Sequence, residues 1–107
     1  MAMFGIEGMD KVAAECAQII GAKVGTSGGY SYVVYFERGG FFGFGKSKSN
    51  LIEIIGRSQR IEHAGDKNLE LVITFIDKNF RNHPQLMGYL EKKTNEYAKK
   101  GIKLVIE

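Results

Sequence analysis

Between residues 9 and 20 the apolar positions Met9, Val12, Ala13, Cys16, Ile19 and Ile20 recur at three- and four-residue intervals, with Asp10 and Lys11 between them and Gly21 just beyond. That spacing lays one apolar stripe along a helix, and the glycine supplies a stop. Glycine-rich residues 25–29 read as a flexible connection. Residues 30–37 alternate, with aromatic and β-branched side chains on both faces, which predicts a strand at least partly covered on both sides. Residues 51–55, Leu-Ile-Glu-Ile-Ile, lie between Asn50 and Gly56 and predict another strand. Residues 56–59 have the composition of a turn and residues 60–64 can run back. Gly65, Asp66, Lys67 and Asn68 then carry hairpin-turn chemistry ahead of the clearest strand, residues 69–76. Asn82 and Pro84 mark the start of a second helix, with Leu86, Met87, Leu90, Tyr97 and Ala98 along one side. Gly101 ends it, and residues 102–106 predict a terminal strand.

Helix, a run of about four strands, helix, strand is the order of an α+β fold. We expect a single domain over residues 1–107, with a mostly antiparallel sheet of about four to five strands and both amphipathic helices on one face. A length of 107 residues, 44% of them hydrophobic, suffices for one core and not for two. One proline and one cysteine argue against a disordered composition and against a disulfide framework, since a lone cysteine cannot pair within the chain. Cys16, on the apolar side of the first helix, is expected to act as a small buried hydrophobe. The sequence shows neither the signature of a secretory leader nor an apolar run approaching a membrane span of about 18 residues. A cytoplasmic setting without a membrane partner is therefore the expectation.

The net charge of +3 hides a segregation. Residues 1–37 carry Glu7, Asp10, Glu15 and Glu37 against Lys11 and Lys23, a balance of -2. Residues 38–60 carry Arg38, Lys46, Lys48, Arg57 and Arg60 against Glu53 alone, a balance of +4. Seven bases against Glu91 and Glu96 give residues 78–103 a further +5. Basic blocks of this size attract polyanions, although the second fits a solvated lysine face on a surface helix.

Residues 39–49, Gly-Gly-Phe-Phe-Gly-Phe-Gly-Lys-Ser-Lys-Ser, admit two readings. Gly40, Gly45, Lys46 and Ser47 have the spacing G-x-x-x-x-G-K-[ST], in which backbone N–H groups cradle phosphates, the lysine meets the outer phosphates and the hydroxyl holds magnesium. With Gly43, and with Asp77 ending an apolar strand downstream, the chain in this respect resembles a P-loop NTPase. That reading requires a helix starting at Lys46, and Lys46 to Asn50 make a poor first turn that breaks again at Gly56. In the other reading the glycines serve the geometry of a connection between two neighbouring strands. Phe41, Phe42 and Phe44 then either plug the end of the core or join Arg38, Lys46 and Lys48 in an aromatic, basic platform that stacks bases and holds phosphates. Whether residues 46–55 are helix or strand decides between these readings.

Residues 4–8, the helix from Met9, and Gly40-Phe41-Phe42-Gly43-Phe44-Gly45-Lys46 also stand in an order that resembles the N-terminal domain of Jag-family bacterial proteins. There a short strand and a helix precede a Gly-Phe-x-Gly-hydrophobic-Gly turn followed by basic residues and a strand. The resemblance covers about the first half of the chain and implies a bacterial adaptor or RNA-associated module. Residues 25–29 and the C-terminal strand, helix and strand depart from the pattern. Neither of the RNA-binding domains that accompany the module in that family is present in these residues, so RNA binding is not carried over from the family.

Other chemistry finds less support. His63 and His83 have no metal-ligand spacing with Cys16 or a carboxylate, and the serines lie in no nucleophile motif. Glu53, Glu62, His63, Glu70 and Asp77 could assemble a hydrolytic metal site across strands, but charged residues alternating with apolar ones make the wet face of a sheet. The expectation is a non-enzymatic binding module with no cofactor, metal or catalytic residue. Its surface comprises Arg38, Phe41, Phe42, Phe44, Lys46 and Lys48, assisted by Arg57 and Arg60, and its leading partner is RNA or single-stranded DNA. The alternatives are a protein-interaction module, either a small inhibitor or a subunit forming a homo-oligomer, and a P-loop nucleotide-binding protein.

Overall fold

A computed structural model describes residues 2–3, 6–27, 31–38, 47–60 and 67–107. Helix α1 (Met9–Ile20) starts at Gly8, whose φ of +82° is left-handed and whose carbonyl accepts the first helical bond from Val12 N–H at 3.1 Å. An added Cβ at Gly8 would also lie 3.2 Å from the Tyr97 hydroxyl, so both backbone and space select glycine. The helix buries Met9, Val12, Ala13, Cys16 and Ala17, so the stripe read from the sequence gains one alanine, while Ile19 and Ile20 at its end are half-buried against the core. Past Gly21 the Ala22 N–H returns to the Ala17 carbonyl at 2.7 Å, which closes the last turn and directs the chain into the sheet.

The sheet runs β2 (Lys23–Ser27), β3 (Ser31–Arg38), β4 (Ser47–Arg60), β5 (Lys67–Phe75) and β6 (Ile102–Ile106) in spatial order, with a short β1 (Ala2–Met3) on β4. Pairing is antiparallel from β2 to β5 and parallel only between β5 and β6. The parallel step needs a crossover, supplied by a 3-10 helix (Lys78–Asn82) and helix α2 (Pro84–Ala98). Pro84 opens α2 and His83 caps it, its Nδ1 accepting from Leu86 N–H at 3.2 Å.

Both helices pack on one face of the sheet. Val34, Ile52, Ile54, Leu71, Ile73, Phe75 and Leu104 meet Val12, Cys16, Leu86 and Leu90 in one core. Register shows why these strand residues share a face: Val34 pairs with Ile52, Ile52 with Phe75, Ile54 with Ile73, and Leu71 with Leu104. This is the expected α+β domain, with a mostly antiparallel sheet and two helices. Among the described residues no helix is long and apolar enough to cross a membrane.

Several local expectations are corrected. Of residues 25–29, read as a loose connection, 25–27 are the second half of β2, where Gly25 pairs with Val33, and 28–29 lie outside the described residues. The Tyr35 ring lies 3.3 Å from where a Gly25 Cβ would be, an aromatic covering the bare backbone of a glycine on an edge strand. Residues 56–59 do not turn: β4 continues through them to Arg60, with Gly56 opposite Leu71 and Arg57 opposite Glu70. Cross-strand pairing outweighs their local turn composition. Among the described residues four strands separate the helices, as expected, but β2 supplies one of them and residues 51–60 belong to a single strand. Lys67 and Asn68 already pair within β5, while residues 61–66 lie outside the described residues. The short first strand is Ala2–Met3, ahead of residues 4–8, and Ala98 is exposed at the end of α2 and does not line the core.

Candidate nucleic-acid interface

The glycine- and phenylalanine-rich segment connects two strands that pair with each other. Arg38 is opposite Ser47, Glu37 opposite Lys48 and Phe36 opposite Ser49. Ser47 therefore begins a strand, where a phosphate loop would require the first turn of a helix presenting N–H groups to the phosphates. Residues 39–46, which include Phe41, Phe42, Phe44 and Lys46, lie outside the described residues.

The described ends of that connection form a projecting ribbon. The last β2 pair on β3 is Lys23 with Tyr35, and the last β5 pair on β4 is Phe75 with Ile52. Beyond them, among the described residues, 36–38 and 47–50 pair only with each other, and Ser47, Lys48, Ser49 and Asn50 are all exposed. An isolated two-stranded ribbon is marginal in water, so its base must be tied down. Phe36 does this by packing edge-on against Phe80 of the 3-10 helix, with ring centroids 6.2 Å apart.

A bulge sets which way the ribbon presents its cation. Val34 pairs with Ile52 but Tyr35 with Asn50, so Leu51 is the extra residue. Its side chain is buried, and its carbonyl accepts from the N–H groups of Ile76 and Asp77 at 2.9 and 3.1 Å. One inserted residue reverses the alternation that follows. Lys48 is thereby placed on the face away from the helices, with its ammonium 5.0 Å from the centroid of the Tyr35 ring. Glu37, opposite Lys48, lies 3.8 Å from Lys23 on the neighbouring strand.

The two other candidate cations on β4 stand elsewhere. Nine residue steps along the strand separate Lys48 from Arg57, about 30 Å at the usual rise, so Arg57 and Arg60 belong to the opposite end of the sheet. Arg57 is moreover engaged: its Nε donates to Glu70 Oε2 at 2.7 Å, and a terminal nitrogen lies 3.7 Å from Glu107 Oε1. Arg38 holds its register position opposite Ser47, and Arg60 its position opposite Lys67.

Among the described residues, the acids considered for a metal site do not converge. Glu70 is bound to Arg57, and Asp77 accepts from Asn79 N–H at 3.0 Å as the cap of the 3-10 helix. Glu53 sits between Val33 and Thr74 on the uncovered face, while Glu62 and His63 lie outside the described residues. Among the described residues no three His, Cys, Asp or Glu side chains gather for a metal. A cleft of about 400 Å³ between the start of α1 and the end of α2 sets Glu7, Asp10 and Glu96 among Lys11, Lys93 and Lys100. Its charges offset one another, which suits neither a polyanion nor an apolar ligand. Cys16, fully buried, has its thiol pushed up to about 12 by burial and secondarily by Glu15, so it is no nucleophile.

Sequence reasoning missed Tyr35, Phe36 and Leu51 as the residues that position the ribbon. Alternation in residues 30–37 put Tyr35 and Phe36 on one strand and the run 51–55 put Leu51 on another, but a bulge leaves no local signature, and it is the bulge that brings Lys48 over Tyr35. The chain matches no protein-family model, no curated protein and no solved structure.

Proposed function

We propose that the chain is a non-enzymatic binding module for RNA or single-stranded DNA, which it engages with the projecting β3–β4 ribbon and the segment joining its strands. The observation that carries this reading is the ribbon itself: two strands that outrun both neighbours, flanked by Arg38 and Lys48, with Lys48 held over an aromatic ring. Ser47, Lys48, Ser49 and Asn50 leave one strand of the ribbon exposed to a ligand, while Phe36 anchors the other against Phe80. Aromatic rings beside cations suit such a ligand, because every base offers a π-face and every nucleotide a charge. In the sequence, Lys46 and three phenylalanines fall in the segment that joins the two strands. Arg57 and Arg60 drop out of this surface, since the length of β4 separates them from it.

Binding of a fluorescently labelled single-stranded oligonucleotide, measured at several salt concentrations, tests the proposal. Affinity is expected to fall steeply with salt, and Lys46→Ala with Lys48→Ala to weaken binding and flatten that dependence. Equal affinity and slope for the double variant would remove the ribbon from the binding surface.

A further inference from the structure

The sheet ends on two strands that differ sharply as edges. β2 is Lys-Val-Gly-Thr-Ser, short of apolar side chains and broken by glycine, whereas β6 is Ile-Lys-Leu-Val-Ile. Among the described residues β6 pairs with β5 alone, so its other side presents backbone groups to the outside. Which groups these are follows from the ladder. Glu107 N–H donates to Ile73 and the Glu107 carbonyl accepts from Phe75, at 2.8 and 3.0 Å, so Glu107 aims both backbone groups at β5. By the two-residue period Lys103 and Val105 do the same, while Ile102, Leu104 and Ile106 aim theirs outward. Such an edge is a template for another strand.

We propose that β6 is a dimer seam, on which a second copy of this chain pairs its own β6 antiparallel about a two-fold axis through Val105. An isologous contact between identical strands is antiparallel, because the axis reverses the second strand. With the axis at Val105, Leu104 faces Ile106 of the second copy and Ile106 faces its Leu104, both hydrogen-bonded pairs using the outward groups. Lys103 then faces Glu107 of the second copy, twice over by symmetry. These positions, like Val105 against itself, are non-hydrogen-bonded pairs, in which side chains approach most closely. The charges in Ile-Lys-Leu-Val-Ile-Glu thus complement themselves in this register. Lys103 and Glu107 are both exposed, and Glu107 reaches Arg57 of its own chain only at 3.7 Å. Two five-strand paths become one continuous sheet, with the ribbons carried away from the seam. The contact is narrow, so the dimer is expected to be concentration-dependent.

Sedimentation equilibrium over a range of protein concentrations tests this with four proteins: the unaltered chain, Lys103→Glu, Glu107→Lys, and the double exchange. The unaltered chain should approach twice its 11.9 kDa as concentration rises. Each single reversal should weaken association by roughly tenfold or more, since two attractions become two repulsions, and the double exchange should restore it. Should a single variant fail to fold, amide exchange on the unaltered chain decides: Leu104 and Ile106 must slow as concentration rises. A monomer at every concentration would overturn the proposal and leave Lys103 as a guard on an unpaired edge. A dimer indifferent to both reversals, or exchange at Leu104 and Ile106 indifferent to concentration, would overturn it equally.

Discussion

Gly8 and Gly88 look alike in the sequence, yet the structure asks opposite things of them. Gly8 holds a left-handed φ of +82° beneath the Tyr97 hydroxyl, which donates to the Glu7 carbonyl at 3.2 Å. Gly8→Ala is expected to cost about 1–2 kcal/mol from the backbone alone. Gly88 lies exposed inside α2 with nothing within 4 Å of an added Cβ, and Gly88→Ala is expected to stabilise by about 0.5–1 kcal/mol through helix propensity. Urea midpoints of the two variants should move in opposite directions, and movement the same way would contradict these assignments. Cys16 gives a pH dependence with a definite sign. Burial raises its folded pKa from 9.0 to about 12, so the unfolded chain loses the proton first. The stability this contributes is complete below about pH 9 and lost as pH rises toward 12. Relative to Cys16→Ala, the unaltered chain should therefore destabilise faster across that window, and parallel pH profiles would count against it. The helical stripe that buries Cys16 was legible because periodicity of 3.6 survives in any context. The companion constraint on Gly8 was not, since Tyr97 reaches it from 89 residues away.

At the scale of elements, β4 separates what local sequence can tell from what it cannot. Residues 51–55 announce a strand, and the structure has one there. Its continuation through Gly56, Arg57, Ser58 and Gln59 rests on partners: β5 on one side, and β1 at Ala2 and Met3 on the other. No window of a few residues contains that information. The same holds for β2, whose glycine is tolerated because Tyr35 of β3 lies over it. Tyr35 also receives Lys48, which ties the edge of the sheet to the ribbon. Tyr35→Ala is accordingly expected to destabilise the fold by about 1–2 kcal/mol and to speed amide exchange in β2 while leaving the β4–β5 ladder protected. Exchange accelerated uniformly across the sheet would show that Tyr35 holds no particular element. The α+β order, both helices and the terminal strand were readable because each carries its own period or punctuation. The bulge at Leu51 was hidden because it is defined only against β3.

For the molecule as a whole, the helices occupy one face of the sheet and divide the remaining cations among separate places. Lys48 stands on the ribbon, Arg57 is bound to Glu70 at the far end of β4, and Lys92, Lys99 and Lys100 lie exposed on and just past α2. The +4 of residues 38–60 is therefore not one patch, although the sequence presents it as one. A linear count of charge cannot register that a 14-residue strand carries its two ends apart. The account's central claim is that nucleic acid is held at the ribbon end, and the salt dependence of oligonucleotide binding tests it most directly. For single strands, each phosphate neutralised contributes about 0.7 to the slope of log affinity against log salt. Replacing Lys46 and Lys48 by alanine should flatten the slope by about 1.4. An unchanged slope, or no binding by the unaltered chain at low salt, would contradict the claim.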